Sequence, residues 1–219
     1  MSFSSADFTG HFDELMKSIS ESKVGGYPLS YQRVDQKTEP VIRKLELFRN
    51  RNVLEIGSNF GMYTMLTSQF AKTVTGLEID RSIFDISGRW LQFFKDKGYS
   101  FDNITLLNES AATCTRIDYD ALLLTLVLYH LSDDEIDLII EDAKKKCDCV
   151  VIQCRPGRIL AAERGSFSGH ISKNTRFDGV FDIAGNIRFL EALGMKKISV
   201  AVSEKMLGSE VFPVLTGER

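Results

Sequence analysis

The chain has 219 residues, 43% of them hydrophobic, and a formal net charge of −3 with a pI near 5.7. That length and apolar content favour one α/β domain over two, and the slight negative charge argues against a protein that coats nucleic acid non-specifically. No stretch approaches the roughly 18 apolar residues of a membrane span, and the first residues show no basic start followed by an apolar stretch. We therefore expect a cytoplasmic protein that does not cross a membrane.

Residues 1–50 form the first predicted region. Five apolar residues at helical spacing predict a short amphipathic helix: Phe8, Phe12, Leu15, Met16 and Ile19. A loop follows over 24–33, and a second helix is predicted over 38–49, with Thr38 as its N-cap and Pro40 in its first turn. We interpret the region as a helical lid or cap.

From residue 51 onward, segments typical of strands and helices alternate. The predicted strands cover 53–56, 73–79, 103–108, 119–127, 149–154, 196–204 and 210–218. Helices are predicted over 63–70, 133–146 and 183–193, and along the face of Phe84, Ile86, Trp90, Leu91 and Phe94. This alternation implies βαβ crossovers and a doubly wound, mostly parallel seven-stranded sheet with helices on both faces. The segment 155–186, rich in Gly, Ser and Arg, interrupts the pattern and is predicted to be a lid-like insertion.

Four cysteines are too few for a disulfide scaffold: Cys114, Cys147, Cys149 and Cys154. The last three lie close in sequence, which leaves a zinc site open. There is no second pair, and no histidine stands at ligand spacing. The alternative, which the spacing favours, is that these are small apolar residues around a buried strand.

The stretch "VLEIGSNFGMYT" (53–64) places a carboxylate, Glu55, at the end of the first strand and glycines at 57 and 61 in the turn. Ligands of such sheets bind beyond the carboxyl ends of the strands. Gly57 permits a positive φ and a close ligand approach, and Gly61 lets the turn enter the next helix without a Cβ clash. A dinucleotide fingerprint would have glycines where Asn59 and Met62 stand, and Glu55 would repel a pyrophosphate. The turn therefore predicts a ligand with a cationic end.

Together, "VLEIGSNFG" and "VTGLEID" resemble the class I S-adenosylmethionine-dependent methyltransferases, over about residues 53–152. The ammonium and sulfonium of S-adenosylmethionine fit the charge argument. The resemblance implies that the turn holds the methionine part of the cofactor, through Glu55, Gly57, Ser58, Asn59 and Gly61. It also implies that Glu78, which ends the second strand, binds both ribose hydroxyls with Ile79 beside it, whereas Asp80 fits this role less well.

Two further segments carry the resemblance. "NESAA" lies where the family often has an Asp-Ala pair near the adenine, so Glu109 and Ser110 occupy that region without the Asp. "YDALLLTLVLYHL" matches the family's fourth strand. Four of its residues lie at the cofactor-facing end: Thr125, Leu126, Tyr129 and His130.

The resemblance implies methyl transfer from S-adenosylmethionine, which leaves S-adenosylhomocysteine as product. His130 is the best candidate for a general base because the unperturbed pKa of histidine lies near neutrality, with Tyr129 beside it and His170 or His11 as substitutes. Arg33, in the loop with Tyr27 and Tyr31, is predicted to pair with the cofactor carboxylate. The methyl acceptor is predicted to be a small or medium-sized anionic molecule, such as a sugar, nucleotide or natural-product intermediate. The segment that would bind this anion contains six basic residues: Arg155, Arg158, Arg164, Lys173, Arg176 and Arg188.

Several alternatives stay open. Glu55 would alternatively cap the helix that follows, Glu78 would be a solvated strand end, His130 and Tyr129 would be structural, and the basic segment would be an ordinary solvated loop. An RNA methyltransferase and a methyltransferase-like module without catalytic activity are the alternative functions, and a nicotinamide oxidoreductase is disfavoured by Asn59 and Met62. Methylation at oxygen, nitrogen or carbon is not distinguished.

Overall fold

The computed structural model describes residues 40–154, 176–178, 183–201 and 212–219. Within these residues the strands are β1 (Asn52–Ile56), β2 (Thr73–Leu77), β3 (Ile104–Leu107), β4 (Ala121–Thr125), β5 (Cys149–Gln153), β6 (Lys197–Ala201) and β7 (Val214–Glu218). The α-helices in the same residues are α1 (Met62–Thr67), α2 (Arg81–Asp96), α3 (Asp133–Lys146) and α4 (Ile183–Ala192). The predicted N-terminal helix and most of the predicted insertion lie outside the described residues.

The seven strands form one sheet in the order β3-β2-β1-β4-β5-β7-β6. Neighbouring strands are parallel from β3 to β5, whereas β7 runs antiparallel to both β5 and β6. The chain leaves β1 towards β2 and β3 and later continues from β4 towards β5, so the direction of winding reverses between β1 and β4. The predicted doubly wound sheet is confirmed, and its switch point lies at the carboxyl ends of β1 and β4.

Both faces of the sheet are covered, which explains why its central strands are almost continuously apolar. Alternate residues such as Leu54, Leu122 and Val150 face one buried cluster, which includes side chains from α3 and α4. Their neighbours face the other cluster, which includes side chains from α1 and α2. No helix in the described part of the chain has the length and apolar character that a membrane crossing requires.

Local structure differs from the prediction where short turns replace regular elements. The predicted helix 38–49 is helical over 40–42 and becomes a 3₁₀ helix over Leu45–Phe48. Its hydrogen bonds join residues three positions apart, as from Lys44 N to Val41 O (2.8 Å). In this conformation Val41, Leu45 and Phe48 are all fully buried. The sequence also gave no indication of the 3₁₀ helices Ala111–Arg116 and Leu128–His130.

The four cysteines are buried thiols. The side chains of Cys147 and Cys154 belong to the cluster on one face of the sheet, whereas Cys149 belongs to the cluster on the other face. Burial raises the pKa of Cys147 to about 12 and that of Cys149 to about 11. Three sulfurs divided between two faces do not converge on one ion, and no group of three or more potential metal ligands lies together in the described residues. The packing is that of small apolar residues.

Candidate functional site

Open α/β sheets have their ligand crevice at the switch point, and here the loops after β1 and β4 each turn towards an outer neighbour strand. The pairing of β1 with β4 extends to Ile56 and Leu124. Beyond it, the amides of Gly57 and Ser58 donate to Leu77 O on β2 (2.9 and 2.8 Å), while the amide of Leu126 donates to Gln153 O on β5 (2.9 Å). Each loop is therefore attached to its outer neighbour strand.

The turn after β1 contains three residues in the left-handed backbone region. Gly57 has a φ of 74°, Asn59 of 50° and Gly61 of 78°. Asn59 is the position at which the dinucleotide fingerprint has its second glycine, and asparagine tolerates this conformation better than most residues. Its side-chain oxygen accepts the amide of Phe60 (2.8 Å), and the amide of Gly61 donates to Ser58 O (2.9 Å). The turn is thus a closed backbone loop at the edge of the crevice.

Glu55 lies at the base of this turn and is fully buried. The Thr64 hydroxyl on α1 donates to Glu55 Oε2 (2.5 Å), while Oε1 has no hydrogen-bond partner among the described residues. Gly76, the register partner of Glu55 on β2, makes room for this contact, because a Cβ there would lie 3.0 Å from Thr64 Oγ1. The bond to Glu55 comes from a side chain of α1 rather than from a helix N–H, so the geometry differs from a helix cap.

The environment of Glu55 favours its protonated form. Burial raises the pKa of Glu55 to about 8; the Thr64 hydrogen bond opposes this shift, and the negative charge of Glu78 adds to it. A carboxyl group with this pKa is largely neutral at pH 7. A cation placed beside it would draw the equilibrium towards the carboxylate.

Glu78 follows β2 directly and points towards the glycine turn. Its Oε2 accepts the amide of Asn59 (2.9 Å) and its Oε1 accepts the amide of Asp80 (2.9 Å). The side chain is mostly buried, so Glu78 is not a solvated strand end. Asp80 instead caps α2, where it accepts the amides of Ser82 (2.8 Å) and Ile83 (3.3 Å). Since a carboxylate oxygen accepts more than one hydrogen bond, Glu78 is held in place and still able to bind a diol.

The end of β3 supports the segment after Glu78. The side-chain amide of Asn108 donates to both Glu78 O (2.8 Å) and Ile79 O (3.1 Å), while the Ile79 side chain is 70% exposed beside them. Glu109 is exposed and accepts the Thr113 hydroxyl (3.2 Å), and Ser110 precedes the 3₁₀ helix 111–116. Sequence reasoning missed Asn108, although a polar residue directly after a strand was the available signal.

The β4 and β5 side of the crevice carries a different set of polar side chains. Thr125 ends β4 in register with Gln153, which ends β5. The Tyr63 hydroxyl on α1 donates to Gln153 Oε1 (3.3 Å). After β4, Tyr129 is buried and His130 is exposed, with their ring centroids 4.2 Å apart. The sequence had no signal that Tyr63 and Gln153 meet, because 90 positions separate them.

The two described arginines of the basic segment both have hydrogen-bond partners. Arg176 forms an ion pair with Asp137 on α3, and its amide donates to Asp133 Oδ1 (3.1 Å). Arg188 donates to Phe177 O (2.7 Å). The other predicted site residues and basic residues lie outside the described part of the chain: His170, Arg33, His11, Arg155, Arg158, Arg164 and Lys173.

Comparison with solved structures yields similar folds at low sequence identity. Magnesium protoporphyrin IX methyltransferase from Synechocystis PCC 6803, with bound SAH, matches with a TM-score of 0.61 and 13% identity over 96% of this chain and 95% of that one. A putative O-methyltransferase from Nostoc punctiforme PCC 73102 has a TM-score of 0.63 and 13% identity, over 97% of this chain and 69% of that one. The methyltransferase domain of a bacterial Hen1 has a TM-score of 0.60 and 14% identity, over 84% and 98% of the two chains. At these identities the likeness concerns the fold.

Comparison by sequence is more limited. No family model matches the chain. One curated relative, ribosomal RNA small subunit methyltransferase A from Lachnoclostridium phytofermentans, is 34% identical over 71 residues. These residues are 32% of this chain and 22% of the relative, so the match spans about a fifth of that protein.

Proposed function

We propose that this chain, which has the fold of the class I S-adenosylmethionine-dependent methyltransferases, binds S-adenosylmethionine and catalyses methyl transfer to an acceptor. The observation that carries the proposal is the carboxylate of Glu78. Backbone amides from the glycine turn and from the segment after β2 hold its two oxygens at the carboxyl end of β2, next to the switch point. This arrangement is suited to the two hydroxyls of a ribose.

The crevice also fits the other end of the cofactor. Gly57 leaves room for the Val127 side chain, since a Cβ there would lie 2.6 Å from Val127 Cγ2, and Glu55 Oε1 and Ser58 Oγ are buried polar atoms without described hydrogen-bond partners. The turn from Glu55 to Gly61 would hold the methionine part, with Thr125 and Leu126 opposite. Such buried polar groups are stabilised when a ligand supplies the missing partner.

The adenine would lie on the β3 side, over exposed Ile79 and near Asn108, Glu109 and Ser110. Arg33 remains a proposed partner of the cofactor carboxylate. When bound, S-adenosylmethionine supplies a methyl group on a sulfonium, which is already electrophilic. The protein's own residues therefore orient the reactants, exclude water and accept a proton.

The order of strands indicates where the acceptor binds. If the ribose lies on Glu78 beside β2 and the methionine part lies over β1, the transferable methyl group faces β4 and β5. His130 lies on that side and is exposed, which suits a group that takes a proton from an acceptor hydroxyl or amine. Tyr129, buried against the His130 ring, would orient it, and His170 remains the alternative base.

A small or medium-sized anionic acceptor remains our first proposal for the substrate. The segment 155–175 follows β5 in the sequence. Its basic residues support an anionic acceptor. RNA is the second candidate, because the curated relative with 34% identity is named as a ribosomal RNA methyltransferase. We further propose that residues 1–50 act as a cap and 155–186 as a lid.

Calorimetric titration with S-adenosylhomocysteine tests the proposal. Wild-type protein should bind it, and Glu78→Gln should weaken binding by about 10- to 100-fold, because a charge-assisted hydrogen bond contributes about 1.5–3 kcal/mol. Asp80→Asn is the matched control: it changes the neighbouring carboxylate but keeps a good helix cap, and its affinity should be unchanged. If the wild-type protein did not bind S-adenosylhomocysteine, the proposed cofactor site would be rejected. The remaining hypothesis would be a methyltransferase-like module that binds another ligand. Equal losses in both variants would remove Glu78 from the ribose site.

A further inference from the structure

The loop after β4 contains a residue in an unfavourable backbone conformation. Leu126 has a φ of 54°, which brings the Cβ of a residue other than glycine close to the following carbonyl oxygen. Such residues persist where the surrounding structure fixes them, and they concentrate at functional sites. Here the Leu126 amide is bonded to Gln153 O (2.9 Å), and His130 N is bonded to Val127 O (2.8 Å).

The consequence of this turn is the position of Val127. Its side chain lies against Gly57 on the opposite wall of the crevice: a Cβ at Gly57 would meet Val127 Cγ2 at 2.6 Å and Val127 Cβ at 3.1 Å. Hydrogen bonds attach one loop to β2 and the other to β5. The Val127 side chain, on the loop after β4, contacts the glycine turn after β1. Val127 thus closes the crevice floor.

We propose that Val127 is a positioning residue and that the left-handed backbone of Leu126 holds it against Gly57. The pair sets how far the amino-acid end of the ligand enters the crevice. This inference rests on the proposed function and extends it to a residue with no assigned role. The adenosyl end is held elsewhere, at Glu78 on the β2 side, so the two ends of the ligand depend on different parts of the protein.

Leu126→Ile and Leu126→Met form a matched pair for the backbone part of the proposal. Both keep a large apolar side chain, but a β-branched residue resists positive φ, whereas methionine is unbranched. In Leu126→Ile the loop should leave the left-handed conformation in part of the molecules, which raises the apparent dissociation constant in proportion. We expect S-adenosylhomocysteine to bind Leu126→Ile about 5- to 30-fold more weakly than the wild type and Leu126→Met within about threefold of it.

Val127→Ala and Val127→Ile test the side chain itself. Removing two methyl groups opens the floor of the crevice, and S-adenosylhomocysteine binding should weaken by about 5- to 20-fold. Isoleucine keeps the branched Cβ and both γ carbons, and its affinity should stay within about threefold of the wild type. Melting temperatures of all four variants would be measured alongside.

A second ligand separates positioning from general damage. 5′-Methylthioadenosine keeps the adenosine and the sulfur but lacks the amino-acid end, so Leu126→Ile and Val127→Ala should bind it within about twofold of the wild type. Parallel loss of both ligands, or unchanged affinity for S-adenosylhomocysteine in both variants, would overturn the inference. If the wild-type protein bound neither ligand, the proposed function itself would fail, which is a different result.

Discussion

The two sides of the crevice are built in different ways. On the β1/β2 side, backbone amides and short-range contacts hold Glu55, Glu78 and the glycine turn, and the residues concerned lie within two short segments of sequence. On the β4/β5 side, the polar side chains of Tyr63 and Gln153 come from distant segments, and one strained residue directs the loop. The comparison shows that the geometry of the turn and the strand ends at β1 and β2 is locally encoded, whereas the geometry at β4 and β5 depends on tertiary packing.

The largest effect is expected on the β4/β5 side, at His130. If the acceptor is a hydroxyl or a protonated amine, His130→Ala should lower kcat by about 10²- to 10⁴-fold, the range for losing a general base. S-Adenosylhomocysteine affinity should be unchanged, because the substitution leaves the β1/β2 side intact. Full activity in this variant would mean that another group, or solvent, accepts the proton.

The next largest effect is expected on the β1/β2 side, at Gly57. Gly57→Ala places a methyl group 2.6 Å from Val127 and strains a φ of 74°, so S-adenosylhomocysteine binding should weaken by at least about 100-fold. Gly98→Ala is the matched control, since Gly98 has a φ of 93° but no atom within 4 Å of the added Cβ. Both variants should lose stability from strain, by about 1–3 kcal/mol. An equal loss of affinity in both would mean that strain alone, rather than the crevice, is responsible.

A third prediction concerns pH. The pKa of Glu55 is raised from its ordinary 4.5 to about 8, so between these values the folded state binds more protons than the unfolded state. Its contribution to stability is therefore present at low pH and is lost as the pH rises through about 8. The melting temperature of the wild type should fall over this range relative to that of Glu55→Gln, which cannot ionise. Parallel pH profiles would contradict the buried, protonated state.

The same group makes ligand binding pH-dependent. If the ligand ammonium lies near Glu55, binding favours the carboxylate, and a proton is released below pH 8. Affinity for S-adenosylhomocysteine should then rise between pH 6 and 8, by up to about tenfold per unit. Calorimetry in buffers of different ionisation enthalpy would count the proton, and Glu55→Gln should release none from this position.

The smallest effect is expected at Arg176, which pairs with Asp137 on α3. Its ion pair with Asp137 is half-exposed, so Arg176→Ala should reduce the free energy of unfolding by less than about 1 kcal/mol. Because the guanidinium already has a carboxylate partner, we expect an unchanged acceptor KM. A raised KM that high salt reproduces in the wild type would instead return Arg176 to the acceptor site, as the sequence first suggested.

Much of the fold could be predicted because the strands carry strong signals. The continuous apolar run before Thr125 predicted β4 to within a few residues. The acidic start and basic end of α3 predicted that helix equally well. The ends of elements were harder to predict: β4 stops at Thr125 because Leu126 adopts a positive φ, and the 38–49 helix gives way to 3₁₀ turns. Neither conformation follows from residue type.

The candidate site divides in the same way. Glu55, Gly57 and Glu78 could be named because their chemistry is tied to strand ends. Asn59 was counted as a missing glycine, although its side chain allows the same backbone conformation. Gln153 and Val127 were missed because they contact residues distant in sequence, and no local pattern reports such contacts.

The most direct test is a crystal structure of the protein with S-adenosylhomocysteine. The account predicts both ribose hydroxyls within hydrogen-bond distance of the Glu78 carboxylate, the adenine beside Ile79, and the amino-acid end between the glycine turn and Val127. A ligand bound elsewhere, or with its ribose away from Glu78, would contradict the proposed cofactor site.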